Sequence, residues 1–254
     1  VSVSELTPDD EKATAVADSA APASKRDLNI VFWIFPAFFG VFGIVFVPLL
    51  RVIPPPRPDV GYAGMISFFE AHHTTIRIGL VLLCLAFGGA AVANGYVAYQ
   101  MKRMTSGPVF AYVYMGGMAV GVLPGMLLVA VCFDAASMRL DRAPRVVGFL
   151  YDLGMLSFNG SLGCFSTAYL AFAIAILLDR NKIFPKWLAY LTIWQIVTEL
   201  LATMMWVLPA GPFAWNGSMT FWLGTAIFAI WLNCQGLMLK KATDQQPAGT
   251  RPPE

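Results

Sequence analysis

Histidine is almost missing from this chain and charge is scarce: 254 residues hold two histidines and 13% charged side chains, where a soluble globular domain carries about a quarter charged. A net charge of +2, spread thinly, excludes a nucleic-acid surface, which needs clustered lysine and arginine. Two adjacent histidines, His72 and His73, can supply neither the many ligands of a di-iron desaturase nor the facing pair of a bis-histidine haem. The cysteines Cys84, Cys132, Cys164 and Cys234 form no Cys-x-x-Cys pair and have no histidine beside them. Zinc and dithiol chemistry therefore lose their ligands, and the four read as small core residues. Glycine-rich phosphate loops, dinucleotide fingerprints and Gly-x-Ser-x-Gly elbows are also missing. No metal and no cofactor are expected.

What is there is apolar: 57% of the residues, gathered into runs. Residues 30–50, 76–98, 110–133, 149–178, 187–208 and 219–239 are each long and apolar enough to cross a bilayer, which takes roughly 20 residues. The expected fold is all-α, a polytopic bundle of about six transmembrane helices. The fourth run is longer than a crossing needs, so an end of it is expected to tilt or lie at the interface. Residues 1–29 are acidic and rich in alanine and serine, without signal-peptide order, and residues 242–254 are rich in proline and glutamine. Both read as disordered tails. Six crossings put the two ends on one side. That side collects eleven lysines and arginines against six on the other, Arg51, Arg57, Arg77, Arg139, Arg142 and Arg145. Positive loops stay inside, so the expectation is an inner (plasma) membrane protein with both termini cytoplasmic.

Punctuation residues add detail. Arg51 to Pro58 holds four prolines and must be an extended spacer. Tyr62, Met65, Ile66 and Phe69 recur at helical spacing, which predicts a short interfacial helix over 61–73 leading into the second crossing. Gly117, Gly121 and Gly125 repeat every fourth residue and give the third helix a flat face, for packing in the bundle or for a homo- or hetero-oligomer contact. Pro36 and Pro124 are expected to kink their helices.

Glu199 is the most informative side chain, because an acid near the middle of the fifth crossing is costly unless paired, protonated or facing water. With Thr192, Gln195, Thr198 and Trp206 it makes one polar stripe at helical spacing. Asp152, Asn159, Gly163 and Ser166 make another on the fourth helix. Two readings are open: a structural hydrogen-bond knot of Glu199 with Gln195 or Asn159, or a polar cavity between the stripes. Glu70, His72 and His73 form the second cluster, either interfacial side chains beside headgroups or an acid/base group near neutral pH.

Four stretches, 73–79 (His-Thr-Thr-Ile-Arg-Ile-Gly), 152–158 (Asp-Leu-Gly-Met-Leu-Ser-Phe), 184–190 (Phe-Pro-Lys-Trp-Leu-Ala-Tyr) and 211–217 (Gly-Pro-Phe-Ala-Trp-Asn-Gly), resemble a family of six-helix membrane proteins of actinobacteria and some proteobacteria for which no activity is established. The resemblance spans about Pro36 to Lys241 and implies architecture, not activity. The family pattern lacks an acid where this chain has Glu199, and carries a lysine where it has Leu208-Pro209-Ala210, so any role of Glu199 belongs to this chain. Residues 211–217 also read physically: a tight turn at Gly211-Pro212, Phe213 and Trp215 anchored at the headgroups, and Asn216-Gly217 capping the sixth helix.

Two functions follow as expectations. One is binding or proton-transfer conversion, by isomerisation or cyclisation, of a hydrophobic small molecule such as a terpenoid, steroid or lipid. Glu199 would be the acid, Asp152 or His73 the base, and Trp194 or Trp206 would face the intermediate. Glu70, His72, Asn159, Gln195, Trp215 and Asn216 would line the site, with membrane lipids as surroundings. The other is a transport or accessory subunit of a membrane complex.

Overall fold

A computed structural model describes residues 24–246; of the tails expected at 1–29 and 242–254, residues 1–23 and 247–254 lie outside them. Among the described residues there are helices and no strands. Six helices are long and apolar enough to cross a membrane: Lys25–Leu49, Tyr62–Ala86, Val109–Met138, Pro144–Leu178, Lys186–Trp206 and Ser218–Gln245. The chain is therefore an all-α, multi-pass membrane protein. Large apolar side chains such as Leu85, Val120, Leu170, Leu200 and Leu237 stand exposed on its outer faces, as lipid requires.

Most crossings are interrupted, which gives the helical segments α1 (Lys25–Ile44), α2 (Tyr62–Ala86), α3 (Gly88–Met101), α4 (Val109–Val122), α5 (Leu128–Met138), α6 (Pro144–Gly160), α7 (Ser166–Leu178), α8 (Lys186–Ala202) and α9 (Gly224–Gln245). The first crossing widens into a π turn at Val45–Leu49 and the third at Leu123–Leu127. Each of these turns holds a proline, Pro48 or Pro124, whose missing N–H a regular turn cannot use. Pro36, in contrast, sits inside uninterrupted α1.

Three sequence boundaries move. The first helix starts at Lys25, not at residue 30, because Ser24 and Asp27 cap it reciprocally. The last runs to Gln245, past the expected start of the tail. No separate interfacial helix exists over 61–73. The buried face of Met65, Phe69, Ile76 and Leu83 continues unbroken through α2, and the break falls instead at Phe87, before Gly88-Gly89.

Two regions result. Toward the chain ends, α1, α3, α4, α7, α8 and α9 pack each on the next, and α9 returns to α1, closing a ring of six. Beyond it α2, α5 and α6 pack on one another and on the π turn of the first crossing as a three-helix lobe. The excess length of the fourth crossing explains the lobe. Its 35 residues reach about 52 Å at 1.5 Å per residue, against about 30 Å of hydrocarbon. Trp206, at the end of the fifth crossing, sits beside Gly160, so α6 projects beyond its neighbour.

Cys132 is buried as expected of a core residue, but Cys84 and Cys164 are exposed. The flat glycine face is used within the chain. A Cβ on Gly117 would lie 2.9 Å from Ala168, on Gly121 2.9 Å from the Phe165 ring, and on Gly125 2.4 Å from Ser161 Oγ. All three neighbours belong to the fourth crossing, so this face packs within the bundle.

Candidate functional site

The ring surrounds a cavity of about 120 Å³ lined from five of the six crossings, all but the second, and from α3. Its wall is mainly apolar: Phe38 and Phe42 from α1, Met118 from α4, Phe165 beside α7, Ala202 from α8, and Phe228 and Trp231 from α9. Asn94, Asn159, Tyr169, Thr198, Glu199, Thr220, Thr225 and Gln235 supply the polar groups.

The expected polar stripe on the fifth crossing is real: Thr192, Gln195, Thr198 and Glu199 are all buried. Thr192 Oγ1 accepts from the Trp231 indole at 2.9 Å, and Thr198 Oγ1 donates to Gln195 O at 2.8 Å. Gln195 Nε2 donates to Glu199 Oε1. The knot and the cavity are thus not alternatives, since one carboxylate oxygen is knotted while the other, Oε2, has no partner among the described residues. Glu199 is 4% exposed. Gln235, also a cavity liner and 2% exposed, has no partner for Nε2 among the described residues.

The remaining polar liners are largely occupied elsewhere. Asn159 Nδ2 donates to Trp215 O at 3.0 Å, Thr220 Oγ1 to Phe213 O at 3.0 Å, and Asn94 Oδ1 accepts from Tyr114 at 3.0 Å.

Other expected residues lie away from this cavity. Asp152 is exposed, although seven residues from Asn159 on a regular helix put both on one face. The reason is the offset between crossings. The fifth ends beside Gly160, so the face that Asn159 buries has no neighbour at the level of Asp152. His72 and His73 are partly buried and bond their own helix, Nδ1 to Phe68 O at 2.7 Å and to Glu70 O at 2.9 Å; Glu70 is exposed. All three belong to α2, which contributes nothing to the cavity wall. Trp194 points outward at 62% exposure, on the opposite side of α8 from its buried stripe. Trp206 is also largely exposed, and its indole N–H is spent on Gly160 O at 3.0 Å.

Trp215 is not a headgroup anchor: it is buried, donates to Pro56 O at 2.7 Å and receives Asn159 on its own carbonyl. Its turn needs glycine at both ends. Gly211 has φ +76°, and a Cβ on Gly217 would lie 2.2 Å from Pro212 O. Asn216 is partly buried and does not cap the sixth helix, whose N-cap is Gly217, with no side-chain bond.

Gln235, Asn94 and Thr220 were missed by sequence reasoning. The signal for the first was available: Thr225, Phe228, Trp231 and Gln235 step by three, three and four along the sixth crossing, as one face of a helix does.

Fold and site together define a multi-pass helical membrane protein with a mostly apolar cavity in its six-helix ring. No family model, no curated protein and no solved structure matches the chain, so the resemblance in its motifs has no matched family model behind it.

Proposed function

We propose that this protein binds a hydrophobic small molecule inside its six-helix ring. One observation carries the reading: a cavity walled by five of the six crossings and by α3, in which buried Glu199 and Gln235 each keep a polar atom without a partner among the described residues. Such an atom costs about 1–3 kcal/mol when left unsatisfied, a cost that a ligand hydrogen bond removes. Proton-transfer conversion is not part of the proposal, because Asp152 and His73, the bases it needs, lie off the cavity wall.

Access from the lipid is supported at the seam between α1 and α9. Near the chain ends it is closed by Phe35 against Gly236 and by Lys240 near Asn29. Further along, Phe39 and Phe42 on one side and Thr225 and Phe228 on the other line the cavity and are only partly buried. We place the protein in the inner (plasma) membrane with both ends cytoplasmic. The lysine and arginine excess on that side supports this, and the Lys25 ammonium reaching Asp244 O at 3.3 Å puts the two described ends together.

The test is a cavity-blocking substitution, Ala202→Trp, at a buried wall position. Mass spectrometry of protein extracted in mild detergent should find an apolar small molecule with the wild type and at least tenfold less with the variant. Equal recovery from both would remove the cavity from consideration. Proton-gradient-driven uptake into vesicles, blocked by the same substitution, would favour transport instead.

A further inference from the structure

The chemistry of the two unpartnered groups narrows the ligand class, on the reading that the cavity binds a small molecule. Gln195 Nε2 donates to Glu199 Oε1, so that oxygen acts as an acceptor. No lysine, arginine or histidine is among the described residues that line the cavity, and an ionised carboxylate facing an apolar wall with no counter-charge carries a desolvation penalty of several kcal/mol. The uncharged acid bears its proton on Oε2, the oxygen without a partner. Gln235 Nε2, also without one, is an amide donor. Both groups therefore offer hydrogen. Meanwhile Asn159, Thr198 and Thr220 donate their own hydrogens within the bundle.

We propose that the cavity takes an uncharged, apolar molecule that accepts hydrogen bonds through a carbonyl oxygen, held by Glu199 and Gln235, and not an amine. Size sets the ring scale. A cavity of about 120 Å³ is comparable with the roughly 150 Å³ apolar cavity that admits benzene. A fused four-ring steroid exceeds that space; a single carbonyl-bearing ring fits, and any chain attached to it leaves through the α1–α9 seam.

Three probes of one size separate the possibilities: cyclohexanone, cyclohexylamine and methylcyclohexane. They are offered to the full chain in lipid nanodiscs, with empty nanodiscs as the blank and ligand-detected NMR as the readout. Cyclohexanone should bind the wild type about tenfold more tightly than methylcyclohexane and should displace cyclohexylamine. Glu199→Gln keeps a donor at the same place, so cyclohexanone binding should stay within about threefold of the wild type, whereas Glu199→Leu should lose about tenfold. If Glu199→Leu does not yield folded protein, Gln235→Leu carries the same test on the other donor.

Preference for cyclohexylamine, together with its loss in Glu199→Gln, would overturn the carbonyl assignment and make Glu199 a cation site, leaving ligand binding intact. Methylcyclohexane binding as well as cyclohexanone would overturn the donor roles. If every probe behaves alike in the wild type and Ala202→Trp, the binding reading itself falls.

Discussion

The six-helix ring and the three-helix lobe are built from the same continuous crossings yet fill their centres differently. Three helices at an ordinary separation of about 8–10 Å leave no hole between them. The lobe accordingly packs solid around aromatic rings: Phe46 stacks on Phe158 at 5.2 Å, Phe69 meets Phe133 edge-on at 5.3 Å, and Phe133 lies parallel to Tyr151 at 6.1 Å. Six helices in a closed ring leave a central space that side chains do not fill, and there the chain places Glu199 and Gln235. In the lobe the buried hydroxyls of Tyr151 and Ser137 are satisfied, Tyr151 donating to Arg57 O at 2.9 Å and Ser137 to Phe133 O at 2.7 Å. Of the buried polar atoms without a partner among the described residues, Glu199 Oε2 and Gln235 Nε2 belong to cavity liners, Gln195 Oε1, Ser166 Oγ and Ser106 Oγ do not, and none belongs to the lobe.

Breaking the ring where it is sealed should have the largest effect. At the end near the termini Asp179, buried, accepts from Thr105 N at 3.0 Å, Asn181 N at 3.0 Å and Ile183 N at 2.9 Å, joining the loop after α3 to the loop after α7. Asp179→Ala leaves those amides without their acceptor and should cost about 3 kcal/mol, read as a lower Tm in detergent. Asp179→Asn keeps one acceptor oxygen and should lose less than half as much. Equal Tm values for Asp179→Ala and the wild type would show that the seal carries no load.

The joint between ring and lobe comes next. A Cβ on Gly160 would lie 2.2 Å from Trp206 Nε1, so Gly160→Ala must displace the indole from its hydrogen bond and should cost about 1–3 kcal/mol. In the double variant Gly160→Ala/Trp206→Phe the smaller ring gives way, and the loss should be less than the sum of the single losses. Strict additivity would mean that the two residues do not meet.

Much of this contrast was legible in the sequence, for identifiable reasons. Apolar runs report the crossings because lipid forbids unsatisfied backbone, and the fifth crossing announced its buried stripe because Gln195, Thr198 and Glu199 are polar residues at helical spacing in an apolar background. The lobe was not legible. Spacing alone puts Asp152 with Asn159, and only the register fixed by Trp206 and Gly160 shows that one is exposed and the other buried. Likewise the helical spacing of Tyr62, Met65, Ile66 and Phe69 suggested a short interfacial helix, whereas the buried face from Met65 to Leu83 carries α2 straight through. Which side of a helix has a neighbour, and at what height, is a property of the whole bundle.

The smallest effect is expected on the lobe's surface. Arg57 donates to Asp59 through Nη2 at 2.6 Å and Nε at 2.9 Å, with both side chains exposed. These hydrogen bonds hold the Asp59 carboxyl below its ordinary 3.8. A carboxyl whose value is lowered by folding stabilises the folded state at pH above its unfolded value, and that contribution disappears as pH falls through the folded one. Arg57→Gln should therefore lower Tm slightly at neutral pH, and the difference from the wild type should close in acid below 3.8. Raised salt should shrink it too, because water and ions screen an exposed pair. Tyr151 bonds the backbone carbonyl of Arg57, which the substitution leaves in place, so the lobe keeps that anchor. A large loss of Tm that persists in acid and in high salt would show instead that the Arg57 side chain supports the lobe by packing, and would end the distinction between its solid core and its replaceable surface charges.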